Sequence, residues 1–171
     1  LDQPLNTDLR ETKAWSYGVR GRVERLVERS PYLITAPVQA DKTGPSIAAI
    51  RTNVTEFLTI KGVTPEELER VREGSIRELP GSFESASDVL GGIERNVLFN
   101  RPDNYYETLA SRYRGMTAEA LNQAARAAID PAKLTWVVVG DAKAVAPQLD
   151  SLGLPVEVMT ASKPSATGEK K

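Results

Sequence analysis

An arginine and a tyrosine on either side of a short polar connection are the residues of this sequence best placed to do chemistry. They lie in Leu9-Arg10-Glu11-Thr12-Lys13-Ala14-Trp15-Ser16-Tyr17-Gly18-Val19. A helix ending near Lys13 and a strand starting near Ser16 can set Arg10 and Tyr17 beside each other at the helix-to-strand corner. A guanidinium and a phenol converging there suit the clamping of a carbonyl or of a developing oxyanion. The same spacing also describes a structural arginine beside a half-buried tyrosine, and spacing alone favours that plainer reading.

The other chemical candidates are weaker. The chain has no histidine and no cysteine, so it cannot supply an imidazole or thiolate to a metal, a triad or a thiol nucleophile. Asp41-Lys42-Thr43-Gly44 spells the phosphorylation tetrapeptide of P-type cation pumps, but Pro45 replaces the threonine that follows there. A polar cap before an amphipathic helix explains the string without phosphorylation. Val137-Val138-Val139-Gly140-Asp141 ends in a glycine like a nucleotide-binding turn but lacks the second and third glycines of that motif. Glu66, Glu67, Glu69 and Glu73 fall on a helix whose charged side must face water. Ser82 and Ser85 have no lysine at nucleophile-activating spacing, and the pair Tyr105-Tyr106 reads as packing.

Composition narrows the class further. Among 171 residues, 22 Lys plus Arg stand against 23 Asp plus Glu, a net charge of −1. There is no basic excess to neutralise phosphates, so nucleic acid is not an expected partner. The longest apolar run, Trp136 to Val139, is far too short for a bilayer, so no membrane is expected either.

The elements that must position Arg10 and Tyr17 can be read from periodicity. Leu5 and Leu9, one turn apart, suit the end of an amphipathic helix. Tyr17, Val19 and Val23 on odd positions, then Tyr32, Ile34, Ala36 and Val38 on even ones, predict an antiparallel hairpin. The adjacent Leu26 and Val27 predict a bulge or an early strand end. Ile47, Ile50, Val54, Phe57 and Leu58 mark one helix face, and Thr64-Pro65-Glu66-Glu67 a capping box with proline at the first helical position. Further helices are expected near Ser85–Phe99, Asp103–Tyr113, Thr117–Ile129 and Ala142–Leu152. Leu134–Val139 is expected to be a strand buried on both faces, and Val156–Met159 a last strand. The expectation is an α+β domain over 1–159: a mixed, mainly antiparallel sheet with helices packed on one face, and a disordered tail over 160–171. Four strands are few for so much helix, which suggests that strands preceding Leu1 or another chain complete the sheet.

The Leu9–Gly18 segment resembles the insulinase and pitrilysin family of zinc metallopeptidases, the inverzincins, in their non-zinc-binding half. The family pattern there is Leu-Arg-Glu, a few residues, then Tyr-Gly and a strand. The resemblance continues through Ala36-Pro37-Val38-Gln39 with Asp41-Lys42-Thr43, through Val63 to Arg70, and through Leu134 to Asp141 with Leu152-Gly153-Leu154-Pro155-Val156, which looks like the C-terminus of bacterial members. It spans Leu5 to about Met159 and rests on the combination of pieces. It implies clam-like halves enclosing an unfolded peptide. One half would hold zinc through an inverted H-x-x-E-H helix, whose glutamate activates water. The opposite half would supply the arginine and tyrosine that hold the substrate backbone and stabilise the tetrahedral intermediate, here Arg10 and Tyr17.

On that resemblance the chain is the C-terminal inactive-half domain of a larger metallopeptidase, itself without cofactor and inactive alone. Zinc would come from an H-x-x-E-H domain or subunit as its partner. The family domain normally begins with strands and a longer helix, a pattern that Leu1-Asp2-Gln3-Pro4 does not continue, so a fragment is expected. The alternative is a catalytically inactive assembly domain of the same fold; a self-sufficient hydrolase finds no support in the spacing. Export is common among such relatives, which places the periplasm ahead of the cytoplasm.

Overall fold

The computed structural model describes residues 1–159; the tail expected over 160–171 lies outside the described residues. α1 (Asp2–Asn6) runs straight on as a π-helical turn over Thr7–Thr12. Leu5 and Leu9 are both fully buried, as their spacing predicts. β1 (Arg20–Val23) and β2 (Tyr32–Thr35) pair antiparallel, with Arg20 opposite Thr35 and Val23 opposite Tyr32. A bridge between Ser16 and Val38 extends the hairpin toward the helix corner. β1 stops before Leu26 and Val27, where the alternation fails.

A 3-10 turn over Ala40–Lys42 leads into α2 (Thr43–Glu56), which ends in a π-helical turn over Phe57–Lys61. α3 (Pro65–Glu78) opens on the expected capping box: the Thr64 side chain accepts from the Glu67 N–H while the Glu67 carboxylate accepts from the Thr64 N–H. α4 (Ala86–Leu98), α5 (Tyr105–Gly115) and α6 (Ala118–Ala128) follow, and α7 (Ala142–Leu149) is capped by Asp141. The core lies where α1, the hairpin and α2 meet, built from Leu5, Leu9, Val19, Ile50, Val54, Phe57 and Leu58. Burying each such side chain contributes roughly 1.5–3 kcal/mol, so this junction is the most firmly held part of the chain. No residue of α3 or α6 is buried; α3 packs on α5, and α6 lies against the Phe57–Lys61 turn, with Ala125 touching the core.

The α+β class is as expected, but the sheet differs from the expectation in extent. Among the described residues only β1 and β2 form a ladder, and it is antiparallel. Among the described residues the expected strand over Leu134–Val139 pairs with nothing, and neither does the one over Val156–Met159. Nor is the first buried on both faces: Leu134 and Trp136 pack against the core, while Val137 is 84% and Val139 95% exposed. Apolar composition records the strand tendency, but a ladder needs a neighbour at hydrogen-bonding distance, and none of the described residues supplies one.

Candidate functional site

The corner between α1 and the hairpin is fixed by a dense set of backbone contacts. The Leu9 carbonyl accepts from the Trp15 N–H at 2.8 Å and from the Ser16 N–H at 3.3 Å, which turns the chain out of the π-helical segment. Ala14 sits in between with φ of 53°, a left-handed conformation that a side chain bearing a Cβ adopts at a cost. Gln39 holds that turn from the other side. Its side-chain amide donates to the Ala14 carbonyl and its backbone N–H to the Trp15 carbonyl, both at 3.0 Å.

Two polar side chains then aim the strand. The nearly buried Ser16 hydroxyl donates to the Pro37 carbonyl at 2.7 Å and accepts from the Gly18 N–H at 3.1 Å. Asn6 acts as a surrogate strand, since its Oδ1 accepts from the Val19 N–H at 2.9 Å and its Nδ2 donates to the Val19 carbonyl at 2.6 Å. On the α2 side, the Asp8 carboxylate pairs with Lys13 and accepts from Asn53 at 2.8 Å. Lys13 also lies 5.2 Å from the Trp15 ring centroid.

This frame brings Arg10 and Tyr17 to the same open cleft of about 560 Å³, lined also by Trp15, Ser16, Val38 and Gln39. Arg10 is exposed on the π-helical turn, and Tyr17 is 94% exposed beyond the corner. Among the described residues no hydrogen bond or ion pair uses either head group, whereas the neighbouring cation Lys13 is neutralised by Asp8. The half-buried tyrosine of the plainer reading is therefore not what the structure shows. A guanidinium with five donors and a phenol with one thus line one open cleft, and donors of both kinds are chemically suited to an oxygen bearing negative charge.

Sequence reasoning singled out this pair but missed the residues that aim it. Nothing in the sequence marks Ala14 as left-handed, because alanine is not a residue that announces such a turn. Gln39 and Asn6 carry only the generic signal of an amide near an element end. The remaining candidates resolve as structure. Asp41 is exposed on the 3-10 turn, where a hydrogen bond from Lys42 lowers its pKa from the ordinary carboxylate value. It caps nothing: no side chain caps α2 from its own N-terminus, and Gln148 of α7 accepts the Gly44 N–H instead, at 3.1 Å. Ser85 caps α4 in a capping box with Asp88, and Asp141 caps α7 by accepting from the Lys143 N–H at 2.9 Å. Tyr106 stacks edge-on against Phe83 and Tyr105, with ring centroids 4.9 and 5.1 Å away.

The chain's own residues do not fit a zinc ion. It has neither histidine nor cysteine, and among the described residues no three carboxylates gather as metal ligands. Nor is any helix among the described residues long and apolar enough to cross a membrane.

No protein-family model matches the chain, and no curated protein matches it. Solved structures do. The crystal structure of a peptidase M16 inactive domain from Pseudomonas fluorescens superposes with a TM-score of 0.65 at 23% identity, over 75% of this chain and 30% of that one. The periplasmic protease PqqL from Escherichia coli gives a TM-score of 0.65 at 17% identity, over 73% of this chain and 14% of that one. The chain thus has the fold found in these two structures and spans less than a third of the length of either.

Proposed function

We propose that this chain is a non-zinc-binding domain of a zinc-dependent metalloendopeptidase, its C-terminal inactive half over 1–159. It clamps the peptide substrate and stabilises the tetrahedral intermediate at a site whose zinc another domain or subunit holds. The observation that carries the reading is the shared cleft of Arg10 and Tyr17, with neither head group hydrogen-bonded or ion-paired among the described residues. The peptidase M16 fold and the sequence pattern around the pair support it. In this role Arg10 holds a substrate backbone carbonyl through charge-assisted hydrogen bonds, and Tyr17 donates a neutral one to the oxygen that gains charge. The fixed corner matters because donors aimed in advance need no reorganisation as the charge develops. The partner is then an H-x-x-E-H domain and the substrate an unfolded peptide. The periplasm is the compartment proposed, as named for PqqL.

The test is peptide cleavage by the assembled peptidase, by this chain alone, and by the assembly with a chelator. Cleavage only by the assembly, abolished by chelation, is the expected result. In that assembly Arg10→Ala and Tyr17→Phe should each lower kcat/KM by about 30- to 1000-fold, on the order of 2–4 kcal/mol, with zinc content unchanged. Wild-type turnover in both variants rejects the clamp. Absence of cleavage in every mixture favours an inactive assembly domain, and chelator-resistant cleavage by the chain alone makes it a self-sufficient hydrolase.

A further inference from the structure

The cleft shared by Arg10 and Tyr17 has an apolar wall that the clamp does not use. Ser16 is buried, and the residues on either side of it, Trp15 and Tyr17, both line the cleft. The backbone of Trp15 is held from two directions: its N–H donates to the Leu9 carbonyl at 2.8 Å, and its carbonyl accepts from the Gln39 N–H at 3.0 Å. Its side chain is half-buried, with the Lys13 ammonium over the indole. Pro37 and Val38 extend the same wall. The polar groups beside it are engaged, since the Ser16 hydroxyl bonds to Pro37 and Gly18 and the Gln39 amide nitrogen to Ala14. No carboxylate lines the cleft, so Arg10 is the one charged residue there among the described residues. A basic side chain entering it meets Arg10 with no acid to offset the repulsion, and an acidic one competes with a carbonyl for the guanidinium. A bulky apolar side chain does neither, and it removes indole and proline surface from water.

We propose that Trp15, backed by Pro37 and Val38, sets the substrate class of this cleft: unfolded peptides with a bulky apolar side chain, such as leucine or phenylalanine, near the carbonyl held by Arg10 and Tyr17. Two residues of extended chain span at most about 7 Å, and Trp15 stands two residues from Tyr17, so the selected side chain lies within two positions of that carbonyl. This selection rests on the clamp reading and divides the labour within it. Arg10 and Tyr17 grip main-chain oxygens, which every peptide has, so they do not choose among sequences. Trp15 meets a side chain and does. Apolar contacts of this kind separate a large aliphatic side chain from a methyl by about 10- to 100-fold.

The test uses three peptides, identical except for leucine, alanine or lysine at one position, which is scanned over two residues on either side of the cleaved bond. With the assembled peptidase, kcat/KM at one such position should favour leucine over alanine by about 10- to 100-fold and place lysine last. Trp15→Ala should bring the leucine-to-alanine ratio to within about threefold of unity, and Trp15→Phe, which keeps a flat apolar wall, should retain most of it. Arg10→Ala should lower turnover of all three peptides and leave the ratio, so the ratio reports on Trp15 and the absolute rate on the clamp. A ratio unchanged in Trp15→Ala overturns the proposal with the clamp still standing, and a lysine preference overturns it in favour of a cation on the indole. Binding to the chain alone gives a readout that needs no turnover. Trp15 and Trp136 are its two tryptophans and give two indole N–H resonances, assigned by Trp15→Phe. The leucine peptide should shift the Trp15 resonance at about a tenth of the concentration that the alanine peptide needs, and leave that of Trp136 in place. Equal titrations, or no shift with either peptide, overturn the proposal.

Discussion

Replacing Ala14 by glycine should stabilise this chain, against the general rule for alanine. At φ of 53° the alanine Cβ crowds the following carbonyl, at a cost of roughly 1–2 kcal/mol that glycine does not bear. Glycine returns part of that gain through its greater freedom in the unfolded chain, about 0.5–1 kcal/mol. The net is a stabilisation of about 0.5–1 kcal/mol, or a rise in Tm of roughly 1–4 °C for a chain of this size. Ala124→Gly on the exposed side of α6 is the control, because a helical φ reverses the sign and costs about 1 kcal/mol. Ala14→Val pushes the other way, since a β-branched side chain at positive φ is a true outlier. Losing about 2 kcal/mol there should also distort the corner between Arg10 and Tyr17 and, on the proposed function, lower peptide cleavage by the assembly, while Ala14→Gly keeps it. The assay is thermal unfolding of the three variants side by side, followed by turnover. If Ala14→Gly and Ala124→Gly destabilise alike, the left-handed corner does not exist and the account of how Arg10 and Tyr17 are aimed fails with it.

Two further perturbations probe the frame around the site. A Cβ at Gly44 would lie 2.6 Å from the Gln148 carbonyl oxygen and 2.9 Å from its Cβ, so Gly44→Ala must push α7 off α2. It should cost about 1–3 kcal/mol in urea unfolding, and an unchanged midpoint would mean the two helices do not meet there. Tyr32 sets a pH limit: burial, and secondarily the charge of Asp2, push its pKa up from 10.0 to about 12. The folded state then holds the proton that the unfolded chain releases, so this contribution is complete below about pH 10 and fades as pH rises through about 12. Two units would be about 2.7 kcal/mol in full, and partial exposure reduces the expected loss to about 1 kcal/mol. Urea midpoints from pH 9 to 12 should fall less steeply for Tyr32→Phe, and parallel curves would refute the burial argument.

The helices were legible because their signals are local. A threonine three residues before a glutamate, or Leu5 one turn from Leu9, needs no distant partner to be read, and the structure places a capping box and two buried leucines there. Where one element is completed by another, the sequence falls silent. The Gly44 N–H at the start of α2 is satisfied by Gln148, 104 residues further on, so the polar string at 41–44 looked like a self-contained cap when it is not one. The strand run at 134–139 was legible in type but not in pairing, because apolar β-branched residues state a preference for a sheet without naming the neighbour.

The site shows the same division. Side-chain types and spacing were enough to bring Arg10 and Tyr17 forward, but the corner that places both on one cleft depends on a left-handed alanine, an asparagine acting in place of a strand, and a glutamine from beyond the hairpin. None of these three has a specific sequence signature, yet together they shape the turn between Arg10 and Tyr17, beyond which Tyr17 stands in solvent instead of packing inward. A clamp for a developing charge needs donors whose positions are set before the substrate arrives. On the proposed clamp reading, the costly residue at the corner and the two donors lining the cleft belong to one device: the strain at Ala14 helps to hold two donors that no hydrogen bond among the described residues uses.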